Sequence, residues 1–106
     1  MVAASMMAAL LTLTVGAVAV GSAVIARHRA QAASDMAALA AATVMPAGSG
    51  AACEKASTVA RAMGTAATDC SVDGLDVVVT VDAPVALAMF GSGPARAVAR
   101  AGPVTE

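Results

Sequence analysis

The two cysteines are the residues of this 106-residue chain whose type and spacing allow the most distinctive chemistry. Cys53 lies in a segment with a helical pattern, and Cys70 lies just before a segment of alternating apolar residues. Their spacing suits neither a zinc site nor a thioredoxin-type dithiol. A structural disulfide would join helix to sheet, contribute on the order of 3 kcal/mol in the chain-entropy model, and imply an oxidising exterior compartment. Two unrelated free thiols are the alternative.

The other titratable residues do not converge on a reaction. His28 is the only histidine and stands between Arg27 and Arg29, so a solvated position at a membrane surface explains it better than a proton sensor or a catalytic base. Four aspartates follow in the C-terminal half: Asp69, Asp73, Asp76 and Asp82. They lack the spacing of a calcium-binding loop and suit turns and exposed strand positions. We therefore expect no enzymatic activity, no metal, no cofactor and no small-molecule substrate.

The composition favours a membrane protein. Hydrophobic residues make up 59% of the chain and aromatic residues only 1%, and alanine is the commonest residue. Because alanine buries little area, a soluble core of this composition needs help from lipid or from a crosslink. The six basic residues are scattered and the net charge is −1, which argues against a nucleic-acid-binding surface.

The N-terminal segment has no charged side chain before Arg27, and its apolar run from Met6 to Ile25 is long enough to cross about 30 Å of hydrocarbon as a helix. We predict a transmembrane helix over residues 1–26, with membrane lipid as a partner. Within it lie three small residues, Gly16, Ala17 and Gly21, of which Ala17 and Gly21 have the spacing that lets another membrane helix approach closely.

A cleaved signal peptide is the alternative to this anchor. Ala17, Ala19 and Ala23 offer cleavage sites of the A-x-A kind, and cleavage there would release a small secreted binding module. The length of the apolar run and the absence of a preceding basic region favour the anchor.

The helical pattern continues beyond the apolar run, over residues 27–43, without proline or glycine. A rod of about 60 Å results at 1.5 Å per residue. Gln31 and Asp35 are one turn apart and share a polar face. A small-residue face that can receive another element is predicted at Ala33, Met36, Ala37 and Ala40.

The C-terminal half has the pattern of a small α+β domain. A second helix is predicted over residues 51–63, with Ser49 as a candidate N-cap and Gly64 at its C-terminal end. An alternating strand follows over residues 75–82. The Asp73-Gly74 dipeptide favours a two-residue hairpin turn that pairs Val72 with Leu75 and Cys70 with Val77. Residues 95–101 alternate as a third strand, with an alanine-rich helix as the competing interpretation.

A family resemblance rests mainly on the segment from Arg27 to Ala41, which reads RHRAQAASDMAALAA. With Cys53, residues 70–81 and residues 95–104, this segment resembles the small TadE/TadG-like proteins of tight-adherence (Flp pilus) loci, in particular the short type with a helicase and secretion neighbourhood. The residues that carry the signature are Arg27, Arg29, Gln31 and Asp35. The resemblance implies a plan like that of type IV pilins, in which a hydrophobic N-terminal helix anchors and assembles an exported C-terminal part.

The start of the chain departs from that plan. Pilin-like relatives carry basic residues and a glycine before the apolar run, and pilins use an early glutamate, whereas this chain starts at Met1-Val2-Ala3. We expect either a start that lies upstream of Met1 or a chain that is not processed as a pilin. A missing basic leader would also reconcile two signals: Arg27 and Arg29 place the C-terminal part in the cytoplasm by the positive-inside rule, and the disulfide places it outside.

Together these patterns predict a single-pass α+β membrane protein with a transmembrane helix (1–26), a continuation of that helix (27–43), a linker (44–50) and an exported domain (51–106). The expected function is that of a non-enzymatic, minor pilin-like component of a tight-adherence or related secretion apparatus, acting by helix–helix assembly. Its expected partners are lipid and other pilin-like or secretion-apparatus membrane proteins, and its expected location is the cell membrane with the C-terminal domain outside the cytoplasm.

Overall fold

The computed structural model describes residues 1–85 and 93–103. Within these ranges the elements are α1 (Val2–Thr43), a 3-10 turn (Met45–Ala47), α2 (Ser49–Ala62), β1 (Ala66–Asp73), β2 (Asp76–Ala83) and β3 (Ala95–Ala101). The described strands form an antiparallel sheet in the order β1-β2-β3. The predicted α+β class, with a long apolar first helix, a short second helix and a small antiparallel sheet, is confirmed. The predicted domain over 51–106 includes residues 86–92 and 104–106, which lie outside the described residues.

Helix α1 is one unbroken rod of 42 residues. No proline or mid-helix glycine pair interrupts its alanine-rich sequence beyond residue 26, so the helix continues past the apolar run as predicted. It ends where the Val44 N–H donates to the Ala41 carbonyl oxygen at 3.1 Å and the chain turns at Pro46. The described part of the molecule is 69 Å long in consequence.

The second half of α1 buries one stripe of small side chains. The buried positions recur every three or four residues: Ala26, Ala30, Ala33, Ser34, Ala37, Ala38 and Ala41. The predicted face was wrong at Met36, which is 55% exposed, because at about 100° per residue this position is turned away from the stripe. Ser34 takes a place in the stripe, where its hydroxyl donates to the Gln31 carbonyl oxygen at 2.9 Å.

Helix α2 begins earlier than predicted, inside the expected linker. Gly48, with φ of 110°, is the N-cap residue, and Ser49 is the first helical residue without a side-chain capping bond. The predicted Ser49 cap is therefore wrong, because glycine supplies the turn that leads the chain into the helix. At the other end Gly64 has φ of 74°, the left-handed conformation that commonly follows a helix.

The core lies between the sheet and the alanine stripes of both helices. Val77, Val79 and Val81 of β2 are fully buried and face the helices. From α2, the alanines at 52, 56 and 60 meet them. In β3 alternate alanines are buried and the two arginines are exposed, so residues 95–101 form a strand and not the competing helix.

The hairpin between β1 and β2 turns one residue later than predicted. Asp73 pairs with Asp76, so Gly74 and Leu75 form the turn. Gly74 has φ of 64°, and no non-glycine residue in the described ranges has a positive φ, which is the sign pattern of a type II′ turn. Leu75 therefore leaves the predicted strand and is 71% exposed.

The pairing register changes accordingly. Val72 pairs with Val77, not with Leu75, and Cys70 pairs with Val79, not with Val77. Each partner on β2 has moved by two positions, and two positions preserve the face of a strand. Cys70 and Val72 thus still share the face of the buried valines.

Candidate functional site

The first half of α1 forms an exposed apolar stem, which we define as residues 2–25. Every large apolar side chain in it is exposed, for example Leu10 at 62% and Leu13 at 70%. The helix contains an apolar window long enough to cross a membrane, and none of that window is buried against the described rest of the chain. A surface of this size is costly in water and stable in hydrocarbon.

The hydroxyl groups of the stem are satisfied within the helix. Thr12 donates to the Ala8 carbonyl oxygen at 2.8 Å, and Thr14 donates to that of Leu10 at 2.9 Å. Ser22 donates to the Ala19 carbonyl oxygen at 3.0 Å. Because each hydroxyl has an acceptor in its own helix, these residues lower the cost of placing the stem in lipid.

The small residues of the stem face open space. A Cβ atom added to Gly16 or Gly21 would meet no described atom within 4 Å, and Ala17 is exposed. Nothing in the described chain fills the groove beside Ala17 and Gly21. The groove is thus accessible to a second helix.

A basic collar, which we define as Arg27, His28 and Arg29, follows the stem directly, and all three residues are exposed. Ala26 and Ala30 on either side of it are 3% and 0% exposed, because the domain covers their face of the helix. At about 100° per residue the two arginines flank the covered face and His28 lies opposite it.

Beyond the collar the predicted polar pair is formed. The Gln31 side-chain amide donates to an Asp35 carboxylate oxygen at 3.1 Å across one exposed turn. A contact of this kind contributes little in water, so its role is to keep this side of the rod polar.

Cys53 and Cys70 are joined in a disulfide in the structure, with their Cα atoms 5.7 Å apart. Cys53 is half-buried beside the α2 stripe, and Cys70 is half-buried on β1. The bond links the first half of α2 to the strand at the edge of the sheet. It crosslinks two elements that also pack on the same core cluster.

The outer face of the sheet carries ion pairs that the strand pattern alone did not reveal. Arg96 donates to Asp82 at 2.8 and 3.1 Å from the directly opposite position on β2. Arg100 donates to Asp76 and to Asp73, each at 2.9 Å. The alternation of residues 95–101 predicts that both arginines lie on one face of the sheet. It does not identify their acidic partners, because these depend on the register of β3 against β2.

The ion pairs shift the pKa values of Asp82, Arg96 and Arg100. The hydrogen bond from Arg96, aided by its charge, lowers the pKa of Asp82 against a smaller opposing effect of burial. The pKa of Arg96 is raised by the Asp82 hydrogen bond, and that of Arg100 is raised mainly by the Asp73 hydrogen bond. Asp82, Arg96 and Arg100 therefore stay charged at neutral pH.

No group of three or more His, Cys, Asp or Glu side chains within residues 1–85 and 93–103 could hold a metal ion. An open, mainly apolar cleft of about 430 Å³ lies at the end of α1 away from the stem, between Leu39, Met45, Leu75 and Pro103.

Comparison with known proteins finds a match to a protein family along α1. Residues 1–44 match the model of a family described as putative Flp pilus-assembly TadE/G-like. A protein of Mycobacterium tuberculosis named "Apoptosis inhibitor Rv3654c" is 57% identical over 54 residues, which are 51% of this chain and 64% of that protein. The chain thus spans less than two thirds of this relative's length. No solved structure matches.

The matched residues are those of the stem, the collar and the packed half of α1. Such a match and an exposed apolar helix fit a pilus-related membrane component. The match to the TadE/G-like pilus-assembly family model therefore lies within the first 44 residues of the chain.

Proposed function

We propose that this protein is a non-enzymatic, minor pilin-like component of a tight-adherence (Flp) pilus or a related secretion apparatus. The observation that carries the proposal is the division of α1. Its first half is apolar and exposed, its second half packs on a small disulfide-linked domain, and the whole helix matches the pilus-assembly family. A single helix thereby joins a membrane-embedded part to a folded part without a flexible hinge.

The mechanism is assembly. The stem lies in lipid and packs on other membrane helices, with the groove at Ala17 and Gly21 as the candidate contact. The domain is held about one bilayer thickness from the N-terminus of the rod, where it contacts further components. Stem and domain move together because the α-helical hydrogen bonds run unbroken through residue 43.

The domain lies outside the cytoplasm in this proposal. The Cys53–Cys70 disulfide supports that side, because thiols in the cytoplasm are kept reduced. Arg27 and Arg29 oppose it by the positive-inside rule. We give the disulfide more weight, since it requires oxidising conditions and the charge rule is a bias.

The test is capture of partners from native membranes. Cells carrying a tagged copy are solubilised in mild detergent, and the captured proteins are identified. We expect pilus or secretion-apparatus membrane proteins, and we expect deletion of the gene to change surface appendages or secretion. Capture of none of these proteins, together with unchanged appendages and secretion, contradicts the proposal.

A second candidate is a secreted small binding module released by signal-peptide cleavage. The observation that favours it is that the stem adds nothing to the described core, so cleavage near Ala23 would leave the packed residues in place. The name of the mycobacterial relative, an apoptosis inhibitor, would suit a released protein. The intact mass of the exported protein decides: a start near Val24 or Arg27 favours release, and retention of residues 3–23 excludes it.

A further inference from the structure

Four basic residues form no ion pair with a carboxylate in the described ranges: the collar arginines, and Lys55 and Arg61 of α2. Arg96 and Arg100 are paired with aspartates, and Arg61 donates to Ser57 at 3.3 Å. Arg27 and Arg29 form no ion pair with any carboxylate in residues 1–85 and 93–103. They thus present two cations, separated by one residue in sequence, to the surroundings of the helix at this position.

The collar lies along α1 between the end of the apolar stem and the start of the domain. Below it, the apolar surface of the stem ends at Ile25. Above it, the domain begins: Ala30 packs with Ala83 and Ala97 at the end of the sheet nearest the stem. When the stem spans the bilayer, the collar therefore lies in the headgroup layer beneath the domain.

We propose that the collar is a binding site for anionic phospholipid headgroups, with Arg27 and Arg29 each directed to a lipid phosphate beside the domain. The proposal rests on the proposed membrane location. Guanidinium groups suit this ligand because their planar donors match phosphate oxygens and their long stems lie along apolar surface. Since the arginines flank the covered face of α1, lipids bound to them border the domain on two sides.

The charge of the rest of the chain favours a lipid partner. Outside the collar, four basic residues face seven acidic ones. An anionic membrane surface would repel such a domain, and the collar supplies attraction at the point of closest approach. The collar also accounts for arginines on the exported side of a span, where the positive-inside rule disfavours them.

The test compares lipid binding by the full chain and two matched variants. The collar variant carries Arg27→Gln and Arg29→Gln. The control carries Lys55→Gln and Arg61→Gln, which remove the same charge from the exposed face of α2, outside the collar. Each protein is equilibrated with equal amounts of phosphatidylglycerol and phosphatidylcholine in mixed micelles, and co-purified lipids are counted by native mass spectrometry.

We expect the wild-type protein and the control to prefer phosphatidylglycerol, on the order of tenfold at low salt, and the collar variant to lose that preference. Equal binding of both lipids by the wild-type protein, or an undiminished preference in the collar variant, overturns the proposal. Retention of all three proteins in the membrane fraction is scored separately. A wild-type protein absent from membranes contradicts the proposed function, whereas a retained protein without headgroup preference contradicts only the collar site.

Discussion

At the scale of residues, the outer sheet face shows how few charged groups hold a small sheet in register. Asp73 and Asp76 are directly opposite each other at the end of the hairpin, an arrangement that repels. Arg100 reaches both carboxylates from β3 and offsets the repulsion. Arg96 and Asp82 form an ion pair at the other end of the β2–β3 pair. The two arginines thus align β3 on β2 in a region where the buried side chains are mostly alanine.

The Arg96–Asp82 pair predicts a pH-dependent stability difference. Because the pKa of Asp82 is lowered in the folded state, the pair stabilises the fold above the ordinary aspartate pKa of about 3.9, and this stabilisation is lost as the pH falls further. Arg96→Gln should lower the melting temperature at pH 7 by no more than a few degrees, since the Arg96 side chain is largely exposed to solvent. The difference should shrink below about pH 4.

The measurement is thermal unfolding in micelles, followed by circular dichroism between pH 3 and pH 7. Arg61→Gln, in which the lost contact is to a hydroxyl group, is the control and should show a difference independent of pH over this range. A difference for Arg96→Gln that stays constant or grows on acidification contradicts the assigned role of the pair.

At the scale of elements, two helices and a sheet pack around a core that is made mostly of small side chains. The two helices contribute alanine stripes and β2 contributes three buried valines. Each helix surface is therefore flat and close to its neighbour, and the disulfide adds the constraint that side-chain volume does not supply. Stability should accordingly be sensitive to added bulk and to reduction.

Removal of the disulfide should be the most destabilising change outside the core. The bond closes a loop of sequence separation 17, for which the chain-entropy model gives a loss of about 3 kcal/mol. Cys53→Ala with Cys70→Ala should lower the melting temperature by roughly 10–20 °C. A reducing agent should lower that of the wild-type protein by a similar amount and leave the variant unchanged. Equal melting temperatures with and without the bond would show that it is dispensable.

Added bulk at the buried stripe should also destabilise. Ala37 of α1 is fully buried in the core, so Ala37→Leu overpacks the core at a cost of about 1–3 kcal/mol. The matched control is Ala32→Leu, on the exposed side of the same helix, which should be close to neutral. Amide hydrogen exchange of Val77, Val79 and Val81 reports the effect. Unchanged protection of these amides in Ala37→Leu would contradict the packing described.

The spacing of apolar residues predicts the helices and strands from sequence. The exact turn and the covered side of α1 depend on tertiary packing, so the sequence does not predict them. Val77, Val79 and Val81 alternate with polar residues, so the strand and its buried face follow directly. The predicted turn is displaced by one residue because Asp73-Gly74 and Gly74-Leu75 can both form a two-residue turn, and the pairing of β1 with β2 selects the second. Met36 was misplaced because apolar character alone does not reveal which side of an alanine-rich helix is covered.

At the scale of the whole molecule, the structure is a rod with a domain packed along one end. Half of α1 packs against nothing in the described chain, so we expect its apolar surface to be covered by lipid or by other membrane helices. The stem, the collar and the domain follow in the order of hydrocarbon, headgroups and solvent. This layering is the physical basis of the membrane assembly role that we propose.

The groove of the stem gives a test of assembly. Ala17→Leu fills the small-residue face beside Gly21 and should reduce co-purification of membrane partners several-fold, because close helix approach is blocked. Ala8→Leu adds the same bulk to the opposite, exposed face of the stem and should leave co-purification unchanged. Equal yields from both variants would remove the groove from the mechanism and leave the partner contacts to the domain.

The central claim, an exported domain on a retained membrane stem, is tested most directly by thiol labelling in spheroplasts. A membrane-impermeant maleimide is added with and without an impermeant reductant, and the labelled protein is recovered from the membrane fraction and weighed intact. The account predicts membrane-bound protein that retains residues 3–23 and whose Cys53 and Cys70 react only after reduction, without permeabilisation. Thiols that react without reductant, and only in permeabilised cells, would place the domain in the cytoplasm, and a soluble protein that begins near Val24 would show that the stem is discarded; either result contradicts the account.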